Sequence, residues 1–283
     1  MRKQKNVLKK SLGHIYYGIV ICLFGVLLMK IYYFDKKNFK KIFNKKRNVT
    51  AFLAVLLLAV CAGAYGVWGD DSAVTASMEE NAELLAYVTD CGNPKNGGVS
   101  LVFMTDENTD INLLAETMQI LKDNQIKATF FVTGRFAENH SDLVQHLWEN
   151  GCEIGTSGYE AISPGNLDYG ENLTSLEKAT TIIRNITNHA VLFYSPPFGV
   201  LEEDIYKAVN ESDLTFVLAG VDSLDWDDVS TEAIISTVLG SVEKGSIISL
   251  HPTKMTNMGL QTIINEIKGL KLKFLTVSEN IGD

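Results

Sequence analysis

The sequence predicts an α/β protein, an irregular parallel (β/α) barrel carried behind an N-terminal transmembrane anchor. Three observations carry this. From residue 99 onward, short apolar strands alternate with helical patterns, the signature of a parallel sheet with helical crossovers. Seven or so such units favour an open or closed barrel over a doubly wound sheet, and no GxGxxG, Walker, GxSxG or HExxH motif and no internal repeat is present. Upstream, two apolar runs flanked by Lys and Arg each approach the roughly 20 residues that a membrane-crossing helix needs.

The elements follow in order. Val99–Met104 is a strand, and Asp110–Lys122 a helix with Ile111, Leu114, Met118 and Leu121 on one face. Ala128–Val132 is a strand. The helix His140–Asn150 is stopped by Gly151, and Cys152–Gly155 is a short strand. Thr174–His189 is a helix, with Thr174 and Glu177 in the spacing of a capping box. Strand Val191–Tyr194, a helix near Glu202–Val209, strand Thr215–Ala219 and a helix near Glu232–Lys244 come next. Strand Ser246–Leu250, helix Leu260–Ile267 and strand Phe274–Val277 complete the series. In such a barrel the chemistry belongs at the C-terminal ends of the strands.

Charge divides the chain. The 283 residues carry 25 Lys+Arg against 34 Asp+Glu, a net charge of −9. Residues 1–69 hold 13 of the basic residues and one acid, Asp35, so this segment is +12 and the remainder −21. That excludes a uniformly acidic soluble protein. It also excludes a nucleic-acid binder, since the larger part would repel phosphate backbones. The expected domains are residues 1–48, basic with a candidate first transmembrane helix at 15–34, and residues 49–69, a signal anchor. A linker at 70–98 and a folded domain at 99–283 follow.

The seven basic residues between Asp35 and Arg47 are expected to stay cytoplasmic, so the second run exits outward and the acidic part is extracytoplasmic. A spanning first run would put the basic N-terminus outside, against the same rule. Translation starting at Met29 would resolve the conflict and leave a single-pass protein. Ala62-Gly63-Ala64 fits a cleavage site, but an uncleaved anchor is the first choice. Cys61 follows Val60, which is too large for the usual lipoprotein signal. Cys91 and Cys152, in the exported part, are read as free or singly bridged.

The strand ends carry an ordered set of motifs. Leu101-Val102-Phe103 is followed by Lys127-Ala128-Thr129-Phe130-Phe131-Val132-Thr133-Gly134 and by Gly151-Cys152-Glu153-Ile154-Gly155. Pro196-Pro197-Phe198-Gly199, Asp222-Ser223-Leu224-Asp225-Trp226, and Gly245-Ser246-Ile247-Ile248 leading into His251 come next. The close is Phe274-Leu275-Thr276-Val277-Ser278-Glu279. From about Val99 to Ile281 this series resembles the polysaccharide deacetylase, or NodB-homology, domain of carbohydrate esterase family 4.

The resemblance implies a NodB-type barrel and removal of N-acetyl groups from envelope glycans with one divalent metal, typically zinc. In that family an Asp and two His hold the metal, whose bound water attacks the acetamide. A second Asp is the base, a His the acid, an Arg orients the base, and a backbone N–H supports the oxyanion.

Carried over residue by residue, that metal chemistry fails here. Met104 stands at the base, Thr105 at the Asp ligand, Ser157 and Ala161 at the two His ligands, and Ser195 at the Arg. A thioether, two hydroxyls and a methyl do not supply the donors a dication requires, so no metal or other cofactor is expected. Loss of the Arg fits loss of the base, since the cation would have no carboxylate. Ser249 replaces the leucine two places before the acid His.

His251 and Asp225 are retained as acid and partner, and the alternative of a purely structural hydrogen-bonded pair is favoured. Phe198 sits where the oxyanion N–H comes from. Trp226 is packing or a wall of a sugar groove, with Phe198 and Tyr159 also at the groove. Asp106, Glu107, Asp110 and Glu160 read as helix capping and solvated charge, against a carboxylate site for another cation. His140, His146 and His189 read as surface residues.

Three functions stay open. One is a membrane-anchored pseudoenzyme binding N-acetylated glycan in the envelope or spore wall. Another is an active hydrolase with an altered site. The last is an envelope scaffold binding a protein partner.

Overall fold

The computed structural model describes residues 88–227 and 229–282. The apolar runs at 15–34 and 51–68, with every expectation about anchoring, lie outside the described residues. Among the described residues no helix is long and apolar enough to cross a membrane.

Among the described residues, eight short strands form one sheet: β1 (Gly98–Thr105), β2 (Thr129–Val132), β3 (Glu153–Thr156), β4 (Phe193–Tyr194), β5 (Thr215–Phe216), β6 (Val221–Asp222), β7 (Ile247–Leu250) and β8 (Lys273–Phe274). The order is β5-β4-β3-β2-β1-β7-β6, with β8 paired to the start of β1. Every ladder is parallel. The path does not close from β5 to β6, so the architecture is a parallel half-barrel. Helices α1 (Ile111–Asp123), α2 (Gly134–Asn139), α3 (Ser141–Glu149), α4 (Tyr169–Thr187), α5 (Glu203–Glu211), α6 (Thr231–Ser241), α7 (Lys254–Gly269) and α8 (Val277–Ile281) complete it.

Side-chain alternation splits the strands between two apolar layers. Leu101, Phe103, Phe130, Val132, Ile248 and Leu250 face the helices, packed with Leu114, Ile183, Val238 and Ile263. Val102, Phe131, Phe193, Val217 and Ile247 fill the barrel interior, with Met104 against them. Gly155 makes room there, because a Cβ on it would lie 2.6 Å from the Phe131 ring. Burial on both faces explains why the strands read as apolar runs rather than alternations.

Several expected boundaries move. Helix α4 starts five residues before Thr174: the capping box is Asp168 with Glu171, whose reciprocal bonds are both 2.9 Å. Thr174 sits inside the helix, its hydroxyl donating to the Gly170 carbonyl at 2.8 Å. Helix α7 starts at Lys254, where Thr253 accepts from the Thr256 N–H, and not at Leu260. Strand β8 ends at Phe274, and Val277 opens α8 behind the Thr276–Glu279 capping box. Strand β5 stops at Phe216, followed by a separate β6.

Residues 89–92, expected in the linker, bond to the sheet. Thr89 N–H donates to Phe216 O at 2.9 Å, Leu218 N–H to Thr89 O at 2.9 Å, and Gly92 N–H to Gly245 O at 2.7 Å. They run along the open edge beyond β5 and reach the start of β7.

Candidate functional site at the barrel mouth

Parallel register sets the residues that meet at the C-terminal ends. Phe103 pairs with Leu250, so the next positions, Met104 and His251, stand side by side. Val132 of β2 pairs with Thr105 on one side and Thr156 on the other, and Thr156 pairs with Tyr194. Thr105, Ser157 and Ser195 therefore follow one another around the rim at nearly one level, with Ala161 in the loop after Ser157. Thr105, Ser157 and Ser195 are buried; Met104 and Ala161 are half-buried.

The retained pair is intact. Asp225, with no exposed side-chain area, faces the His251 Nδ1 at 2.8 Å and accepts from the His251 backbone N–H at 2.7 Å. The Thr256 hydroxyl donates to the same carboxyl at 2.6 Å. One carboxyl thus fixes both the backbone and the ring of His251 and ties them to α7. His251 keeps a third of its side chain exposed, and with Nδ1 engaged the imidazole presents Nε2 to the mouth. Thr256 was not singled out from the sequence; the Thr253-x-x-Thr256 cap was its available signal.

The replaced positions offer no comparable chemistry. Thr105 Oγ1 and Ser157 Oγ are buried without a hydrogen-bond partner. Neighbouring hydroxyls are committed elsewhere: Thr133 caps α2 and donates to Glu107 at 3.1 Å, and Thr156 accepts from the Gly158 N–H at 3.2 Å. A dication would have to replace its water shell with two neutral hydroxyls, a thioether and a methyl. These residues do not fit the zinc that the sequence resemblance implies. Among the described residues no group of three His, Cys, Asp or Glu side chains is placed to hold a metal ion.

The nearby carboxylates have other partners. Asp106 accepts from the Asn108 N–H and Asp110 from the Asn112 N–H, both at 2.8 Å, and Glu160 pairs with Arg135. Glu107 bridges two strand ends, accepting from Thr133 and, at 3.2 Å, from the Ala161 N–H. This crosslink between the β1 and β3 loops spans 54 residues of sequence and has no local signal.

The aromatic residues separate into two settings. Phe198 and Trp226 are 75% and 63% exposed at the mouth. Phe198 holds φ 61° and Leu224 φ 59°, conformations costly for bulky residues. The Trp226 indole donates to Asp222 at 3.2 Å. Tyr159 instead has Lys178 Nζ 3.3 Å from its ring centroid and the Arg135 guanidinium 5.6 Å away, with its hydroxyl on Glu138 at 2.9 Å. It borders an open cleft of about 600 Å³ against the first turns of α4, with Ile162, Leu167, Thr174 and Lys178. His146 and His189 are exposed and His140 is half-buried, its ring tilted against that of Phe136. Cys91 and Cys152 are both free thiols.

Fold and site together define a parallel half-barrel domain whose chemistry, a His–Asp pair beside a rim of neutral residues, lies at the C-terminal strand ends. Residues 95–217 match the polysaccharide deacetylase family. The chain is 29% identical to a peptidoglycan-N-acetylglucosamine deacetylase of Bacillus cereus, over 63% of this chain and 66% of that protein. The chain thus spans just under two thirds of that relative's length. A solved peptidoglycan N-acetylglucosamine deacetylase superposes with TM-score 0.65 at 26% identity, covering 69% of this chain and 92% of the other. A carbohydrate esterase family 4 pseudoenzyme from Bacillus anthracis shares the fold, with TM-score 0.65 at 24% identity over 69% of each chain. These matches support a polysaccharide deacetylase-like, or NodB-homology, domain over the described residues.

Proposed function

We propose that this protein is a membrane-anchored, extracytoplasmic member of the family that binds N-acetylated envelope or spore-wall glycan and has lost metal-dependent deacetylation. The carrying observation is the rim itself. Met104 adjoins His251, the rim runs on through Thr105, Ser157, Ala161 and Ser195 at the ends of the following strands, and none supplies an anionic or imidazole donor. Of these rim side chains and His251, only the imidazole is an acid–base group, and the replaced positions supply no set of ligands for a metal that would activate water. Asp225 then serves chiefly to hold the loop after β7. Anchoring rests on the +12 and −21 division of charge across two apolar runs. The glycan class rests on the relatives' activities and on the exposed Phe198 and Trp226.

The test is acetate release from N-acetylglucosamine oligomers by the full chain with added zinc, cobalt or manganese. Binding without turnover is expected. Metal-dependent turnover that disappears in His251→Ala would overturn the reading and favour an active hydrolase, which the intact His251–Asp225 geometry supports as the second reading. Absence of glycan binding would favour a scaffold for an envelope protein. Among the described residues, seven of the nine exposed large apolar residues, Ile111, Ile162, Phe198, Leu224, Trp226, Met255 and Met258, lie on loops or helix starts at the mouth, and that apolar rim would then be the docking face.

A further inference from the structure

Charge is divided within the domain as well as along the chain. Because every ladder is parallel, the strand starts and the helix ends share one face, opposite the mouth. Three segments on that face, residues 93–97, 122–128 and 266–273, lead into the neighbouring strands β1, β2 and β8. They carry six exposed lysines, Lys95, Lys122, Lys127, Lys268, Lys271 and Lys273, against two acids, Asp123 and Glu266. The adjoining loops add Glu149 before β3 and Glu243 with Lys244 before β7. At the mouth the sign reverses: residues 222–232 hold five acids and no Lys or Arg.

Helix ends account for part of this, since a cation in the last turn complements the helix dipole, as Lys122 and Lys268 do. Lys127, Lys271 and Lys273 lie outside the helices. Among the described residues none of the six lysines forms an ion pair. Lys268 instead reaches Asn124 Oδ1 at 3.1 Å and ties two of the segments together. Between Lys268 and Lys271 stands Leu270, 56% exposed. A soluble polyanion gains nothing from an apolar side chain, whereas the headgroup boundary of a bilayer takes leucine and lysine side by side. The chain also arrives at this face from upstream: Cys91 forms a β-bridge with Ser246, just before β7, and Lys95 follows. Residues 70–87, between the expected anchor and the described domain, reach at most about 60 Å. A tether of that length holds a bilayer surface at high effective concentration, so a weak attraction suffices.

We propose that the face at the starts of β1, β2 and β8 docks on anionic phospholipid headgroups, with the six lysines on phosphate and Leu270 at the acyl boundary. The acidic mouth is thereby turned away from the bilayer. This rests on the anchored reading above and gives the anchored domain an orientation.

Lysine acetylation by an amine-reactive ester, read by mass spectrometry on the full chain in nanodiscs, tests both. Discs of phosphatidylcholine alone are compared with discs containing one-third phosphatidylglycerol. Lys95, Lys127, Lys271 and Lys273 should react about fivefold more slowly in the anionic discs, relative to Lys254 at the mouth, and 0.5 M NaCl should remove the difference. The double variant Lys271→Asn/Lys273→Gln should return Lys95 and Lys127 to the rate in neutral discs. Asparagine is chosen because Lys271 holds φ 61°. Leu270→Ser should weaken the protection with every charge in place. An unchanged rate at Lys178, which sits on the Tyr159 ring, guards against misfolding. Equal reactivity in the two kinds of disc refutes the docking while the anchoring stands. Protection that Leu270→Ser leaves intact, or that soluble polyphosphate confers and anionic discs do not, refutes the lipid and assigns the face to an anionic polymer. A chain that does not enter discs at all sinks the anchoring and the docking with it.

Discussion

Replacing Asp225 with Ala tests whether the His251–Asp225 pair is a structural clamp. The carboxyl accepts three hydrogen bonds, from the His251 backbone N–H, the His251 ring and the Thr256 hydroxyl, with no exposed side-chain area. Two of those donors have a fallback: the ring is one-third exposed and turns to water, and Thr256 Oγ1 also lies 2.8 Å from Thr253 Oγ1. The part-buried backbone N–H would lose its Asp225 acceptor outright. An orphaned buried donor costs about 1–3 kcal/mol, and each lost bond to a carboxyl about 1.5–3 before compensation. With two donors partly compensated, Asp225→Ala should cost about 3 kcal/mol. His251→Ala removes only the ring and should cost about 1 kcal/mol. Urea unfolding of the full chain and both variants, compared through midpoints at constant m-value, reads the difference. A loss below about 1 kcal/mol for Asp225→Ala would refute the clamp and return Asp225 to a role in tuning His251 for proton transfer.

Two further outcomes follow from packing and burial. Gly155→Ala places a methyl 2.6 Å from the Phe131 ring and 3.1 Å from the Phe193 carbonyl, and should lower stability by about 1–3 kcal/mol, read as a drop in the thermal midpoint. Burial pushes the Cys152 thiol above its ordinary 9.0, so the folded state favours the neutral form. Its stabilising share is full below pH 9.0 and is lost as pH rises through the folded value. Melting followed from about pH 8 to 11 should fall less steeply in Cys152→Ala than in wild type, with Tyr194, pushed further up by burial, titrating later. Equal slopes would remove Cys152 from the alkaline transition.

Strands β1, β2, β3 and β7 and helices α1, α3, α5 and α6 were legible because each carries enough apolar residues in one period to declare itself. The start of α4 was not, because Asp168 and Thr174 both have a Glu three residues on. Only the extended backbone at Asp168, φ −76° and ψ 173°, makes it the cap. Two-residue strands such as β5 and β6 carry no period at all, so their ends depend on which neighbour they meet. The six-residue α2 escaped because it is too short to show a period, although Thr133, which caps it, stood in the sequence as a signal.

By itself the sequence determined the alternation of strands and helices, and the identity of the residues at each strand end. Those identities alone settled that Met104, Thr105, Ser157, Ala161 and Ser195 bring neither anion nor imidazole to the mouth, since donor chemistry belongs to the side chain. Tertiary structure alone decided which of these hydroxyls find partners. It also decided that Glu107 joins the β1 loop to Ala161, that Thr256 completes the bonding of Asp225, and that residues 89–92 lie along the open edge. Each is a contact between segments far apart in sequence, fixed by the register of parallel strands, and no local pattern of residues encodes a register that only the packed sheet imposes.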